Sequence, residues 1–150
     1  MIDEGFGTLD GDNIRHGINK DLTFSEKDRK ENIRRIAEVS KLFVEAGVVT
    51  FAAFVSPYLK DRENIKDIVG IQNFVEVYVN TSIEECERRD VKGLYKKARA
   101  GEIRNMTGIN APYEPPIHPD IEIVTEKMTI EESVKQVVEY IKNKITLKNE

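Results

Sequence analysis

From residue 25 onward the apolar positions of the chain switch between two rhythms. Ile33, Ile36, Ala37, Ser40, Phe43 and Val44 recur at three- and four-residue spacing, the period that gathers side chains on one face of a helix. Ser25-Glu26-Lys27-Asp28 ahead of that run has the form of a capping box, and Gly47 closes it as a C-terminal glycine does. Val48–Phe54 is a short apolar stretch, which predicts a strand covered on both faces. Ser56 and Pro57 then offer an N-cap and a first-turn proline for a helix to about Val69. Phe74–Val79 predicts a second strand, with a Thr81/Ser82 cap and a helix to Arg89 behind it, then a short helix over Leu94–Ala100. Ile121–Val124 predicts a third strand, and Thr129-Ile130-Glu131-Glu132 caps a last helix to about Ile145. One more short strand ends near Leu9. No repeat, low-complexity tract or flexible linker breaks this order. The loop-rich part is Gly101–Pro119, which holds four of the five prolines.

Strands alternating with helices predict an α/β fold, a parallel sheet with helices packed on both faces. A length of 150 residues suits one domain, 1–150, which buries roughly 70% of the surface its unfolded chain exposes. Lys plus Arg number 23 against 27 Asp plus Glu, a net charge of −4. That balance excludes a general nucleic-acid binder but leaves room for a local basic pocket. A single cysteine, Cys86, excludes an intrachain disulfide, and His16 and His118 are too far apart in sequence to read as a zinc site. No apolar run approaches 18 residues and no signal-peptide pattern opens the chain. The expectation is a cytoplasmic protein with no membrane partner and no bound structural metal.

Parallel sheets take ligands at the carboxyl ends of their strands, so the chemistry is sought after Leu9, Phe54 and Val79. Asp10-Gly11-Asp12-Asn13-Ile14-Arg15 puts two carboxylates and a cation at a strand end. Asp10 or Asp12 could take a hydroxyl proton and Arg15 could grip a phosphate or sulfate; an ordinary acidic turn reads equally well. Arg29 and Asn32, three apart, share a helix face and could hold an anion beside Phe24, whose ring could stack on a base. A hydrophobic staple for Phe24 and a solvated charge for Arg29 are the plainer readings. Ser56 is an N-cap, a ligand contact, or both. Asp90–Arg104 carries five basic residues, Lys92, Lys96, Lys97, Arg99 and Arg104, between and beyond Gly93 and Gly101. It reads as a lid that closes positive charge over phosphates, or as a solvated basic helix. Cys86 reads as a small buried side chain and both histidines as surface residues.

The stretches Leu9–Leu22, Asp28–Phe43 and Phe54-Val-Ser-Pro-Tyr58 resemble the signature of the adenylylsulfate (APS) kinase family. So do Lys92–Ile103, Thr107-Gly-Ile109 and Pro112-Tyr-Glu114, in the same order along the chain. The resemblance implies a three-layer P-loop-kinase-like sheet, with a mobile lid over about 90–119. It also implies phosphorylation of the 3′-hydroxyl of adenosine 5′-phosphosulfate by ATP with Mg²⁺. It places Asp12, Asn13 and Arg15 at the ribose and phosphosulfate, with Asp10 or Asp12 near the accepting hydroxyl. Phe24 then stacks on adenine, Arg29 and Asn32 contact the sulfate or base side, and Val55 and Ser56 form the substrate-contacting strand end. Ser56 is also discussed as a phosphoryl acceptor in the family. Lys92 reaches the substrate from the lid. A homodimer and association with ATP sulfurylase belong to the same expectation.

Two departures qualify it. Where the family carries a second aromatic before Thr-Gly-Ile, this chain has Met106, preceded by Arg104-Asn105. A methionine packs on a purine face without the aromatic stack, worth about 1–3 kcal/mol per base elsewhere. The chain also contains no G-x-x-x-x-G-K-[ST] pattern, the loop that cradles donor phosphates. Met1-Ile-Asp-Glu-Gly-Phe instead resembles the end of the family's first helix, so the expectation is an N-terminally truncated fold, weakly active or inactive by itself. The alternatives are a non-catalytic nucleotide-binding module and a kinase for a related nucleotide.

Overall fold

The computed structural model describes residues 6–146, with side chains to residue 145. The Met1–Gly5 part of the segment read as a helix end lies outside the described residues. The chain divides into two compact units, Met1–Phe74 with Ile103–Pro115, and Val75–Glu102 with Pro116–Glu150.

In the first unit, β1 (Phe6–Asp10) and β2 (Val49–Ala53) pair in parallel, Phe6 opposite Val49 and Asp10 opposite Ala53. A parallel pair needs a long crossover, and α1 (Gly11–His16) and α2 (Glu26–Glu45) supply it. Ser25 caps α2 by accepting from the Asp28 amide at 3.2 Å. The Asp28 carboxylate does not complete the expected box. It turns to Thr23 instead, accepting from the Thr23 amide at 2.9 Å and from its hydroxyl. At the other end Gly47 takes φ +77°, and the amides of Gly47 and Val48 close on the carbonyls of Val44 and Phe43, a Schellman closure that needs a residue tolerant of positive φ. The expected helix face is largely inside: Ile33, Ile36, Ala37 and Ser40 are buried, while Phe43 remains 38% exposed. α2 packs on α3 (Leu59–Val69), whose Val69 is buried.

Two expectations fail in this unit. β2 was to be covered on both faces, yet Phe51, Ala52 and Ala53 are exposed; among the described residues it pairs with β1 alone. Ser56 and Pro57 were to open a helix, but α3 begins at Leu59 after Tyr58, which makes no side-chain cap bond. The Ser56 and Pro57 carbonyls are drawn instead to Arg62 and to the Glu114 amide.

In the second unit β3 (Val77–Asn80) pairs in parallel with β4 (Ile121–Val124), with Ile121 and Ile123 buried. β3 starts at Val77, later than the apolar run, and ahead of that run Gly70 at φ +89° leads into a 3-10 turn over Ile71–Asn73 that the pattern gave no sign of. Ser82 caps α4 (Ile83–Arg89), α5 covers Leu94–Arg99, and α6 covers Ile130–Thr146. Here the capping box is complete: Thr129 Oγ1 accepts from the Glu132 amide at 3.2 Å and Glu132 Oε2 from the Thr129 amide at 2.8 Å. The architecture is α/β with parallel strands, arranged as two strand pairs rather than one continuous described sheet.

Candidate functional site

The carboxyl end of β1 is built around Asp10. Its Oδ1 accepts from the amides of Asp12 at 3.0 Å and Asn13 at 3.4 Å, so Asp10 is the N-cap of α1, a short helix that the sequence pattern did not predict. Asp12 and Asn13 follow in its first turn, both exposed. A Cβ at Gly11 would lie 3.5 Å from the Phe54 ring and 3.6 Å from the Ala53 carbonyl, in ordinary van der Waals contact with the end of β2.

Arg15, in the last turn of α1, donates to the carbonyls of Leu22 at 3.3 Å and Thr23 at 3.2 Å. Its guanidinium lies 4.3 Å from the centroid of Phe24, a cation–π distance. Burial first, and then the nearby Arg29 cation, push the Arg15 guanidinium below its ordinary value, with Asp28 opposing. Two cations held this near each other favour an anion between them.

Phe24 is 57% exposed, so it is not the apolar staple considered from sequence. Arg29 lies 5.8 Å from its centroid and is no solvated charge either. Arg29 donates to the Phe24 carbonyl at 3.1 Å, to Thr107 Oγ1 at 2.9 Å and to the Asn105 carbonyl at 2.5 Å. Asn105 has φ +60°, and Met106 stands between the two residues that Arg29 holds. The Asn110 side chain fixes the same loop, accepting from the Met106 amide at 2.6 Å and donating to the Ile103 carbonyl at 3.1 Å. Asn32, expected beside Arg29 on the ligand face, is turned inward. It is 5% exposed, and its Oδ1 accepts from Asn19 Nδ2 at 2.9 Å, Asn19 being fully buried.

At the end of β2, Val55 is 62% exposed and Ser56 half-buried. Arg62 reaches the Ser56 carbonyl at 2.5 Å and also the Glu114 carbonyl. Glu114 Oε2 accepts from the Leu59 amide at 2.6 Å. The fasteners not expected from sequence are therefore Arg62, Thr107, Asn110 and Glu114, while Asp28, expected in a capping box, fastens Thr23 instead. Thr107 and Glu114 lay within motifs that carried the resemblance. Arg62 and Asn110 lay outside those motifs; Asn110 closes its own loop on Ile103 and Met106, and Arg62 reaches the remote Glu114 carbonyl as well as Ser56.

Of the basic segment, Lys92, Lys96, Lys97 and Arg99 belong to the second unit and are exposed. Arg99 pairs with Glu87 at 2.6 Å, and Asp90 accepts from the Tyr95 and Lys96 amides at 3.0 Å each, capping α5 from outside. Arg104 is exposed on the loop of the first unit. Cys86 is half-buried rather than buried, and His16 and His118 are exposed. Among the described residues no three His, Cys, Asp or Glu side chains gather as a metal site, and no helix is long and apolar enough to cross a membrane.

An exposed ring flanked by two guanidinium groups, in the same unit as the carboxylates that end β1, suits a nucleotide-binding protein of the α/β class. The adenylylsulphate kinase family model matches residues 4–124. The adenylyl-sulfate kinase of Oceanobacillus iheyensis is 59% identical over 136 residues, 91% of this chain and 68% of its own length. That of Bacteroides thetaiotaomicron is 59% identical over 140 residues, 93% of this chain and 70% of its own length. The structure of Mycobacterium tuberculosis APS kinase CysC in complex with AMPPNP and APS superposes with a TM-score of 0.85. It is 41% identical, with 93% of this chain and 80% of that chain covered. The chain belongs to the adenylylsulphate kinase family.

Proposed function

We propose that these residues form the acceptor site for transfer of a phosphoryl group from ATP to the 3′-hydroxyl of adenosine 5′-phosphosulfate, giving 3′-phosphoadenosine 5′-phosphosulfate and ADP. The observation that carries the reading is the exposed Phe24 ring with Arg15 at 4.3 Å and Arg29 at 5.8 Å. A purine bearing a phosphosulfate asks for this pairing of a stacking surface with fixed positive charge. Arg15 and Arg29 serve the anionic groups, Phe24 and Met106 the adenine, and Asp12 and Asn13 the ribose. Asp10 is held at a strand end by two amides, and a carboxylate fixed in place suits a proton acceptor. In the step we infer, the 3′-oxygen attacks the γ-phosphorus in line, its proton passes to Asp10, and the bond to ADP breaks. Val55 and Ser56 line the site as the substrate-contacting strand end. Asn32 supports Arg29's helix from within.

MgATP is the donor substrate of this reading. The 150 residues contain no G-x-x-x-x-G-K-[ST] pattern to hold it, so they are assigned the acceptor half of the chemistry. Arg104, exposed on the loop of the first unit, is assigned to charge stabilisation over the phosphates; for Lys92, Lys96, Lys97 and Arg99, in the second unit, the lid role, with Lys92 as a substrate contact, is what the family resemblance implies. A cytoplasmic setting, a homodimer and association with an ATP sulfurylase complete the reading, and sedimentation of the chain alone and mixed with that enzyme tests the last two. Met106 favours a second reading, a related nucleotide as acceptor. ADP release from MgATP by this chain, with APS and with other adenine nucleotides, tests both. The first reading expects any turnover to be slow and to require APS; turnover with another nucleotide in preference to APS establishes the second.

A further inference from the structure

We propose that Arg62 and Glu114 are positioning residues for the acceptor site, a latch that sets the Ser56 strand end against the loop carrying Met106. This rests on the functional reading above. The turn from β2 into α3 has no side-chain cap of its own. Its carbonyl and amide groups are met from a loop more than fifty residues later in sequence. One Arg62 guanidinium donates to the Ser56 carbonyl at 2.5 Å and to the Glu114 carbonyl. Arg62 is 6% exposed, and both bonds are donated by its cationic guanidinium, which makes them charge-assisted. Its Cζ also lies 5.8 Å from the Tyr113 ring centroid. Glu114 answers from the other side. Its amide donates to the Pro57 carbonyl at 2.8 Å, and its carboxylate takes the Leu59 amide at 2.6 Å, one of the first-turn amides that a helix leaves without an intrahelical partner.

The loop is thereby fastened at both ends, by Arg29 on Asn105 and Thr107 and by Arg62 and Glu114 on the Ser56–Leu59 turn. Met106 and Ser56 are held in one register by Arg62 and Glu114, which are assigned no contact with the nucleotide, together with Arg29, which is. A positioned site loses affinity steeply when its supports loosen, so the latch governs nucleotide binding as well as stability.

The experiment uses the 150-residue chain and the variants Glu114→Ala, Glu114→Gln and Arg62→Lys, with Thr129→Ala, a cap lost from α6, as the control. Hydrogen exchange at the Leu59 amide reads the latch, calorimetry with APS reads the site, and the thermal midpoint reads stability. Glu114→Ala is expected to lose Leu59 protection and about tenfold in APS affinity, consistent with loss of one charge-assisted bond. Glu114→Gln recovers part of both, and Arg62→Lys, where it folds, behaves as Glu114→Ala. Thr129→Ala lowers the midpoint without changing affinity. Unchanged Leu59 protection in Glu114→Ala overturns the latch itself. Lost protection with parental affinity overturns its positioning role. A folded parent that shows no saturable APS binding overturns the functional reading, and the positioning claim with it, whereas the Leu59 result stands apart from that failure.

Discussion

At the scale of single residues, the site is made by side chains serving two masters. Asp10 is both strand-end carboxylate and N-cap of α1, and its two duties separate by substitution. Asparagine caps as well as aspartate, whereas alanine costs about 1 kcal/mol. Asp10→Asn is therefore expected to keep the parent's midpoint of denaturation and Asp10→Ala to lower it, as read by urea unfolding; equal losses in the two would contradict the capping role. Phe24 was legible in the sequence as a candidate because an aromatic preceded a helix with Arg29 on its first turns. Its exposure was not legible, since whether a ring before a cap folds in or stays out depends on what reaches it, here Arg15 and Arg29. Stacking on such a ring is worth about 1–3 kcal/mol, so Phe24→Ala should weaken APS binding by roughly tenfold or more. Met106→Phe should tighten it, and calorimetry checks both.

At the scale of elements, local chemistry wrote the helices more faithfully than their beginnings. The spacing of Ile33, Ile36 and Ala37 fixes a buried face of α2 without reference to anything distant, and Thr129 with Glu132 makes its box within one turn. Where a group outside the helix outcompetes the local one, the reading slips. Glu114 takes over the start of α3, and Thr23 draws Asp28 from the box at Ser25. α2 also carries a charge network, with Glu31 accepting from Arg34 at 2.8 Å and from Arg35 at 2.9 Å, while Arg35 reaches Asp21 at 2.7 Å. These hydrogen bonds pull the Glu31 carboxyl down from its ordinary 4.5 to about 2. A carboxyl lowered in the folded state adds stability that is complete above its unfolded value and lost as pH falls through the folded one. The difference in thermal midpoint between the parent and Glu31→Gln should thus be level near neutral pH and close between 4.5 and about 2. A difference that holds constant down to the acid end would show that Glu31 stabilises by shape alone.

At the scale of the molecule, the α/β class and its parallel strands follow from the alternation of helical and strand rhythms, and the family from motifs spread along most of the chain. The pairing of strands did not follow. Each strand's apolar content says that it is covered but not by what, and β2, read as a central strand, has exposed Phe51–Ala53. The acceptor site was half legible for a related reason. Asp10, Arg15, Phe24 and Arg29 lie near one another in sequence, whereas Asn105, Thr107, Asn110 and Glu114 join them only through the fold. The central claim is that these groups together make a site for adenosine 5′-phosphosulfate. The most direct test is calorimetric titration of the folded 150-residue chain with APS, beside Arg15→Ala. The account predicts saturable binding at one site per chain that falls at least tenfold in the variant; a folded chain that binds no APS, or binds it equally well without Arg15, would contradict it.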